Sequence, residues 1–293
     1  MKQLATTGPL PAAPMLAALA AHSLPGIQET SGSTVRRLLE VDGTVVPVEI
    51  EITDGHVAWR PPAGFPDAVL ARVEHTLRRW LDLDRDLAPV HAHLAVDPRL
   101  APLVERWPGL RVVGHPDPFE AAVTTVLGQR VSLAAARVLA ARFCEYFSGP
   151  PGTVLREFPR PETVAGADPV ELRAATGTTA VRARSVVALA EAFAEGLDPT
   201  GPPEEVRAQL LALPGLGPWS VEYLAVRVLK DADAFPAGDL VLQRTLGVAT
   251  AAEAEQVAEG WRPWRAYALF LLWTHGSYLA PPGRSGPRAR TAP

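Results

Sequence analysis

The chain has 293 residues, of which 47% are hydrophobic and 20% are charged, and its formal net charge is −4 at pH 7. This length and apolar content allow two domains with a sizeable core and exclude a chain that is disordered throughout. The slight acidity excludes a grip on nucleic acid that is spread over the whole surface, so any contact with DNA has to be local.

The single cysteine, Cys144, limits the chemistry that the chain can carry. It excludes an intramolecular disulfide, a zinc site made of cysteines and an iron–sulfur cluster. Its apolar neighbours predict a buried position on a helix. The sequence shows no signal peptide and no apolar run of membrane-spanning length, so we expect a cytoplasmic protein with no membrane partner.

The sequence pattern of residues 1–110 predicts an α+β region. Alternating apolar residues run through Val45–Ile52 and His56–Trp59, and Asp-Gly turns stand at Asp42–Gly43 and Asp54–Gly55. Alternation between such turns is typical of antiparallel hairpins. Helical patterns flank them at Pro14–Ser23 and Pro66–Asp82.

His91 and His93 form an His-x-His pair in the same region. Such a pair could hold a metal ion, but two ligands do not complete a site. We expect a strand edge or a loop here.

From Asp117 onward the pattern is helical. Two helices are predicted to meet near Gly128–Ser132, and a later helix is expected to end near Gly276. The last residues are rich in Pro, Gly and Arg, which predicts a disordered tail. The predicted domains are residues 1–112, residues 113–280 and a tail at 281–293.

The segment LPGLGPW, from Leu213 to Trp219, predicts a tight turn between two helices. Gly215 and Gly217 can take positive φ and let a phosphate approach the backbone, and the following helix start adds the positive end of its dipole. We expect the backbone of Gly215, Leu216 and Gly217 to contact DNA. A plain connector between helices is the alternative.

Asp239 follows in the loop FPAGD, at the predicted start of a helix. Aspartate is a common helix cap, and the helix dipole stabilises its negative charge, so capping and chemistry are compatible. Trp219 and Tyr223 stand one turn apart on one helix face, and Trp273 ends the last helix. These rings are either core residues or the walls of a pocket for a flipped, cationic base.

Four segments together resemble the helix-hairpin-helix DNA glycosylases, specifically the bacterial 3-methyladenine DNA glycosylase II (AlkA) type. They read MLAALAAHSL, FEAAVTTVLGQRVSLAAA, LPGLGPWSVEYLAVR followed by DAFPAGDLVLQR, and WRPWRAYALFLLW. The resemblance implies an α+β fold: an antiparallel sheet like half of a TATA-binding protein, then an all-α region of two subdomains with the active cleft between them.

The resemblance also assigns roles. It implies Asp239 as the catalytic residue and Trp219, Tyr223 and Trp273 as the base pocket. It places the residue that wedges into the DNA at Arg130, beside Gln129, where an apolar residue is more usual. Arg244 is expected to contact a phosphate or to be structural. A monovalent cation, Na⁺ or K⁺, would bind the backbone carbonyls of Leu211, Leu213 and Gly215, and no other cofactor is expected.

The mechanism implied is hydrolysis. Bifunctional members of the superfamily carry an attacking lysine at the position held here by Trp219, and the only lysines of this chain are Lys2 and Lys230. We therefore predict a monomeric, nucleoid-associated glycosylase that removes alkylated bases, such as 3-methyladenine, from double-stranded DNA. One alternative is a non-catalytic damage sensor. The other is the repair half of a fused regulator, and the single cysteine argues against it.

Overall fold

A computed structural model describes residues 1–152 and 154–279 of the chain; the predicted tail at 281–293 lies outside them. The N-terminal region holds a five-stranded antiparallel sheet in the order β1-β5-β4-β3-β2. Its strands are β1 (Lys2–Leu4), β2 (Gln28–Ser31), β3 (Thr34–Val41), β4 (Thr44–Thr53) and β5 (His56–Trp59). The predicted antiparallel sheet is confirmed.

Side-chain alternation explains why this sheet has one buried face. Along β4, Val46, Val48, Ile50 and Ile52 are buried, while the residues between them are more accessible. Helices α1 (Ala12–Ala21) and α2 (Asp67–Leu81) lie in the same core. Helix α1 starts two residues before the predicted Pro14, because the first turn of a helix needs no amide donors and tolerates proline.

The rest of the described chain is helical, as predicted from Asp117 onward. Its helices are α3 (Ala88–Leu94), α4 (Ala101–Arg106), α5 (Pro118–Gly128), α6 (Leu133–Ser148), α7 (Pro161–Ala165), α8 (Pro169–Thr176), α9 (Ala180–Ala194), α10 (Pro203–Ala212), α11 (Pro218–Leu224), α12 (Leu240–Leu246), α13 (Ala251–Ala258) and α14 (Arg265–Trp273). None of the described helices combines the length and apolar character that crossing a bilayer requires.

The helices divide between two apolar cores. Helices α12 to α14, late in the chain, share one core with the N-terminal sheet. Helices α5 to α11 form the second core, which includes the buried Cys144. The C-terminal part therefore folds back onto the N-terminal region, and a cleft forms where the two cores face each other.

One predicted helix end differs from the structure. The helix expected to end near Gly276 passes instead into a π-helical turn, Thr274–Tyr278. Gly276 allows close packing there, because a Cβ on it would lie 2.2 Å from Thr245 Oγ1. A second π-helical turn, Ala225–Leu229, follows α11.

The prediction of a strand edge or loop at His91 and His93 was wrong, since both lie on α3. His93 Nε2 lies 3.1 Å from the carbonyl of Gly260, and the amide of Gly109 donates to His91 Nδ1 at 3.4 Å. Among the described residues, no group of three or more potential ligands for a metal ion is found. This pair therefore joins distant segments of the chain.

Candidate active site

The predicted hairpin lies between α10 and α11. Gly215 has φ of +81°, and a Cβ on it would lie 2.0 Å from Ser185 Oγ. Both the backbone conformation and the packing therefore require glycine at this position. Gly217 differs from the expectation: it has φ of −102° and caps α11 in an extended conformation. A Cβ at Gly217 would meet no described atom within 4 Å. Gly215 thus shapes the turn, and Gly217 leaves an open face.

The middle of the hairpin is less accessible than the sequence suggested. Leu216 is buried in the second core, and its amide donates to the carbonyl of Leu213 at 3.3 Å. The carbonyl of Gly215 accepts a hydrogen bond from Gln129 Nε2 at 2.9 Å. Two of the three carbonyls named for a cation, those of Leu213 and Gly215, therefore already accept one hydrogen bond each. The third, on Leu211, belongs to the last turn of α10.

The loop between α5 and α6 is tied to this hairpin. Besides Gly215, Gln129 Nε2 donates to Ser220 Oγ on α11 at 3.0 Å, and Arg182 donates to the Gln129 carbonyl. The next residue, Arg130, is exposed with φ of +54°. Gln129 therefore holds the loop in place, and the loop exposes Arg130 together with Val131 and Ser132.

Asp239 caps α12 and contacts the end of α14. Its Oδ1 accepts hydrogen bonds from the amide of Leu242 at 2.8 Å and from Trp273 Nε1 at 3.0 Å. No hydrogen bond from the described residues engages Oδ2. The carboxylate is thus fixed at one oxygen and open at the other. Arg244, on the last turn of the same helix, is exposed.

The three predicted pocket aromatics lie in a row beside Asp239. The ring centroids of Trp219 and Tyr223 are 5.5 Å apart, and those of Tyr223 and Trp273 are also 5.5 Å apart. All four residues line one cavity of about 190 Å³ between the two cores. We call the three rings the aromatic lining.

The cavity also has a polar lining, formed by His22, His115, Glu120, Arg227 and Tyr278, which the sequence analysis missed. His22 Nε2 lies 3.2 Å from the Tyr278 hydroxyl. Burial and the neighbouring Arg227 hold the pKa of His22 well below its usual value, so this imidazole is neutral at pH 7. Burial raises the pKa of Tyr278, whose hydroxyl keeps its proton.

Glu120 is the buried carboxylate of the polar lining. It pairs with Arg37 of β3 at 2.7 Å and lies 3.5 Å from His115 Nε2. Burial alone raises the pKa of Glu120, but Arg37 and His115 outweigh burial and lower it to about 2. Asp117, which caps α5 by accepting from the Glu120 amide at 3.0 Å, has its pKa raised by burial and by Glu120.

The sequence offered a weak signal for this group. Arg227 stands in the apolar run LAVRVL, where a charged residue is unusual unless it has a buried role. Glu120, by contrast, follows the cap residue Asp117 by three positions and resembles an ordinary first-turn acid. Its partner Arg37 lies 83 residues earlier in the chain, a pairing that periodicity cannot reveal.

Lys230 does not line the cavity. Its Nζ donates to the carbonyl of Val112, and burial lowers its pKa to about 8. Lys2 lies on β1 and pairs with Glu74. Neither amine is placed to attack a molecule bound against the aromatic lining.

Comparisons with known proteins show the family to which the chain belongs. A family described as "AlkA N-terminal domain" matches residues 2–117, and "HhH-GPD superfamily base excision DNA repair protein" matches residues 123–263. A Mycobacterium tuberculosis protein, "Probable bifunctional transcriptional activator/DNA repair enzyme AlkA", is 36% identical over 87% of this chain. The chain spans about half of that relative, 53% of its length.

A second relative is covered more fully. The "DNA-3-methyladenine glycosylase" of Bacillus subtilis is 31% identical over 67% of this chain and 70% of its own length. Among solved structures, the 3-methyladenine DNA glycosylase from Archaeoglobus fulgidus has the same fold, with a TM-score of 0.78 at 21% identity over 94% of this chain and 98% of that one. The chain belongs to the HhH-GPD superfamily of base excision DNA repair proteins and carries an AlkA-type N-terminal domain.

Proposed function

We propose that this protein is a monofunctional DNA glycosylase that removes alkylated bases from double-stranded DNA by hydrolysing the N-glycosidic bond. One observation carries the proposal: the Asp239 carboxylate is fixed at Oδ1 beside the three rings of the aromatic lining and is open at Oδ2. The B. subtilis relative is named a DNA-3-methyladenine glycosylase, which supports N3- and N7-alkylpurines as substrates.

The cavity suits a base that has left the DNA stack. A flipped base can lie against the rings of Trp219, Tyr223 and Trp273, and electron-rich rings attract the positive charge of an alkylated purine. Such a base is already a good leaving group. Asp239 then has to stabilise the positive charge that develops on the sugar or to orient the attacking water.

The absence of a suitably placed amine favours hydrolysis over a lyase reaction. Among the described residues, Lys230 is held at Val112 and Lys2 lies on the N-terminal sheet. A Schiff base needs an amine within reach of the sugar. The expected product is therefore an abasic site in an unbroken strand.

DNA binding is assigned to the surfaces around the cavity. The open face at Gly217 and the start of α11 can receive a phosphate, and exposed Arg130 is the candidate wedge. Arg244 is a further candidate phosphate contact. We also propose that the protein acts as a monomer, and a DNA substrate would place it at the nucleoid.

The hairpin carbonyls of Leu211, Leu213 and Gly215 are of the donor type that Na⁺ or K⁺ takes. A carbonyl oxygen has two lone pairs, so the hydrogen bonds at Leu213 and Gly215 leave one on each. Such a cation would add positive charge beside the bound phosphate.

We also propose residues 1–112 and 113–280 as the two domains.

The test is product analysis on methylated duplex DNA. The protein should release free methylated purines, leave sites that break only after alkali treatment, and form no covalent complex with DNA under borohydride. A covalent complex would identify a lyase. Tight DNA binding with no base release would identify a non-catalytic binder instead.

A further inference from the structure

The face of α6 that lines the cavity carries a single charged residue. Residues of this face follow one another at the spacing of three and four that keeps side chains on one side of a helix: Leu133, Ala136, Arg137 and Ala140. Ala140 is buried, whereas Arg137 is exposed. Arg137 therefore belongs to the rim of the cavity and not to its floor.

The guanidinium of Arg137 is anchored at one nitrogen. Its Nε donates to the carbonyl of Ser23, just after the end of α1, at 3.1 Å. Among the described residues, its Nη1 and Nη2 form no hydrogen bond and no ion pair. The guanidinium is a planar fork, so an anchor at Nε leaves the edge between the two Nη groups for a second partner.

The charge of Arg137 acts on the cavity. Burial is the main cause of the low pKa of His22, a cavity residue, and Arg137 is one of the neighbouring charges that lower it further. The cavity also holds the carboxylate of Asp239, which repels the phosphates of any nucleotide that enters. A positive charge on the rim offsets this repulsion.

A phosphate suits this position better than a base does. A flipped base lies inside the cavity against the aromatic lining, while its phosphates stay in the DNA backbone outside. An alkylated base is cationic, so the guanidinium would repel it. A phosphate is anionic, and two of its oxygens match the fork of an arginine.

We propose that Arg137 binds a phosphate that flanks the flipped nucleotide and thereby holds that nucleotide in the cavity. This inference rests on the proposed glycosylase function and adds a contact on α6 to the contacts assigned to the hairpin. Because Arg137 belongs to the rim of the cavity, the contact should form only when a nucleotide has rotated into the cavity.

The experiment measures binding to duplex DNA that contains a tetrahydrofuran abasic analogue, at KCl concentrations between about 50 and 200 mM. The analogue has a phosphate on each side but no base, so it leaves the stack at little cost and tests the phosphate contact alone. R137M should reduce the magnitude of the slope of log K against log salt concentration by about 0.9, the share of one phosphate contact. Its Kd at the lowest salt concentration should rise about tenfold, the value of one hydrogen bond to a charged group. On undamaged duplex DNA, R137M should keep the parental slope.

Arg142 provides a matched control on the same helix. It is also exposed and also donates to one backbone carbonyl, that of Thr176, at 3.4 Å. It lies about 140° around the helix axis from Arg137 and does not line the cavity. R142M should therefore keep the parental slope and Kd.

Two further variants separate the phosphate contact from the contact with Ser23. R137Q keeps an amide donor but has no charge, so its slope should fall as in R137M, also where R137M does not fold. R137K keeps the charge but loses the fork, so its slope should match the parent although its Kd rises. A purely structural role at Ser23 would change the melting temperature and leave every slope unchanged.

The outcomes separate the two levels of the argument. An unchanged slope in R137M or R137Q, an equal fall in R142M, or an equal fall on undamaged DNA would overturn the role of Arg137 and leave the glycosylase function standing. Failure of the parental protein to release any methylated base would overturn the proposed function itself.

Discussion

Trp273 has two roles at the residue scale, and only one of them was visible in the sequence. The sequence indicated its ring as a pocket wall, and the structure brings that ring next to Tyr223. The structure adds that its indole N–H donates to Asp239 Oδ1. An indole nitrogen can only donate, so this contact fixes which carboxylate oxygen remains open.

Replacing Trp273 by Phe tests this second role. W273F keeps an aromatic ring but removes the hydrogen bond, so Asp239 loses one of its two anchors. We expect the single-turnover excision rate to fall about tenfold, the value of one positioning hydrogen bond. W264F is the control, because Trp264 stacks near Arg85 and does not line the cavity. An unchanged rate in W273F would show that this hydrogen bond does not position the carboxylate.

The sequence predicted four of the residues around the cavity. Asp239, Trp219, Tyr223 and Trp273 stood in recognisable motifs, and the structure brings them together. The polar lining was missed because contacts such as that between His22 and Tyr278, 256 residues apart, leave no local pattern. Such pairs exist only once the C-terminal helices have folded back onto the N-terminal region.

At the element scale, the hairpin separates the roles of two glycines that look equivalent in LPGLGPW. Gly215 has positive φ and is packed against Ser185, whereas Gly217 is extended and open. The sequence could show that a turn is present. It could not show which glycine shapes the turn, because that depends on where α9 lies.

Alanine should therefore affect stability at Gly215 and DNA binding at Gly217. G215A places a methyl group onto Ser185 with strained backbone, so the melting temperature should fall by several degrees for a cost of about 1–3 kcal/mol. G217A should stay within about 2 °C of the parent, because alanine fits its backbone. Its methyl group would block an approaching phosphate, however, so its Kd for duplex DNA should rise about fivefold.

Thermal unfolding and DNA titration of both variants measure these effects. The hairpin account fails if G217A binds DNA as tightly as the parent, or if G215A is as stable as the parent.

Helix boundaries, like the roles of the two glycines, depend on tertiary contacts. Periodicity located the helices, but the π-helical turns after α11 and α14 depend on tertiary packing and had no sequence signal.

At the scale of the whole molecule, one buried ion pair links the two cores. Arg37 belongs to the N-terminal sheet and Glu120 to α5, and their side chains are 4% and 2% exposed. The pair lies beside the cavity, because Glu120 is part of the polar lining. Removing one partner of such a pair leaves an uncompensated buried charge.

E120Q should lower the free energy of unfolding by about 3–5 kcal/mol, measured by urea unfolding at pH 7. The pair of Arg36 and Glu49 is the matched control, with side chains 55% and 31% exposed. E49Q should cost about 1 kcal/mol or less. Equal effects of E120Q and E49Q would contradict a linking role for the buried pair.

The same carboxylate predicts a pH dependence. The pKa of Glu120 is lowered from its ordinary 4.5 to about 2 in the folded protein, so between these values the unfolded chain binds more protons. Its contribution to stability should be complete above pH 4.5 and should be lost as the pH falls toward 2. Urea unfolding between pH 5 and pH 2.5 should show a smaller decline in E120Q than in the parent.

The most direct test of the central claim is the excision rate of D239N on duplex DNA that contains 3-methyladenine. Asparagine keeps an oxygen for the Leu242 and Trp273 hydrogen bonds and removes the charge. We predict a loss of about 10²–10³ in rate, with binding to abasic DNA within about threefold of the parent. Excision by D239N at the parental rate would contradict the account.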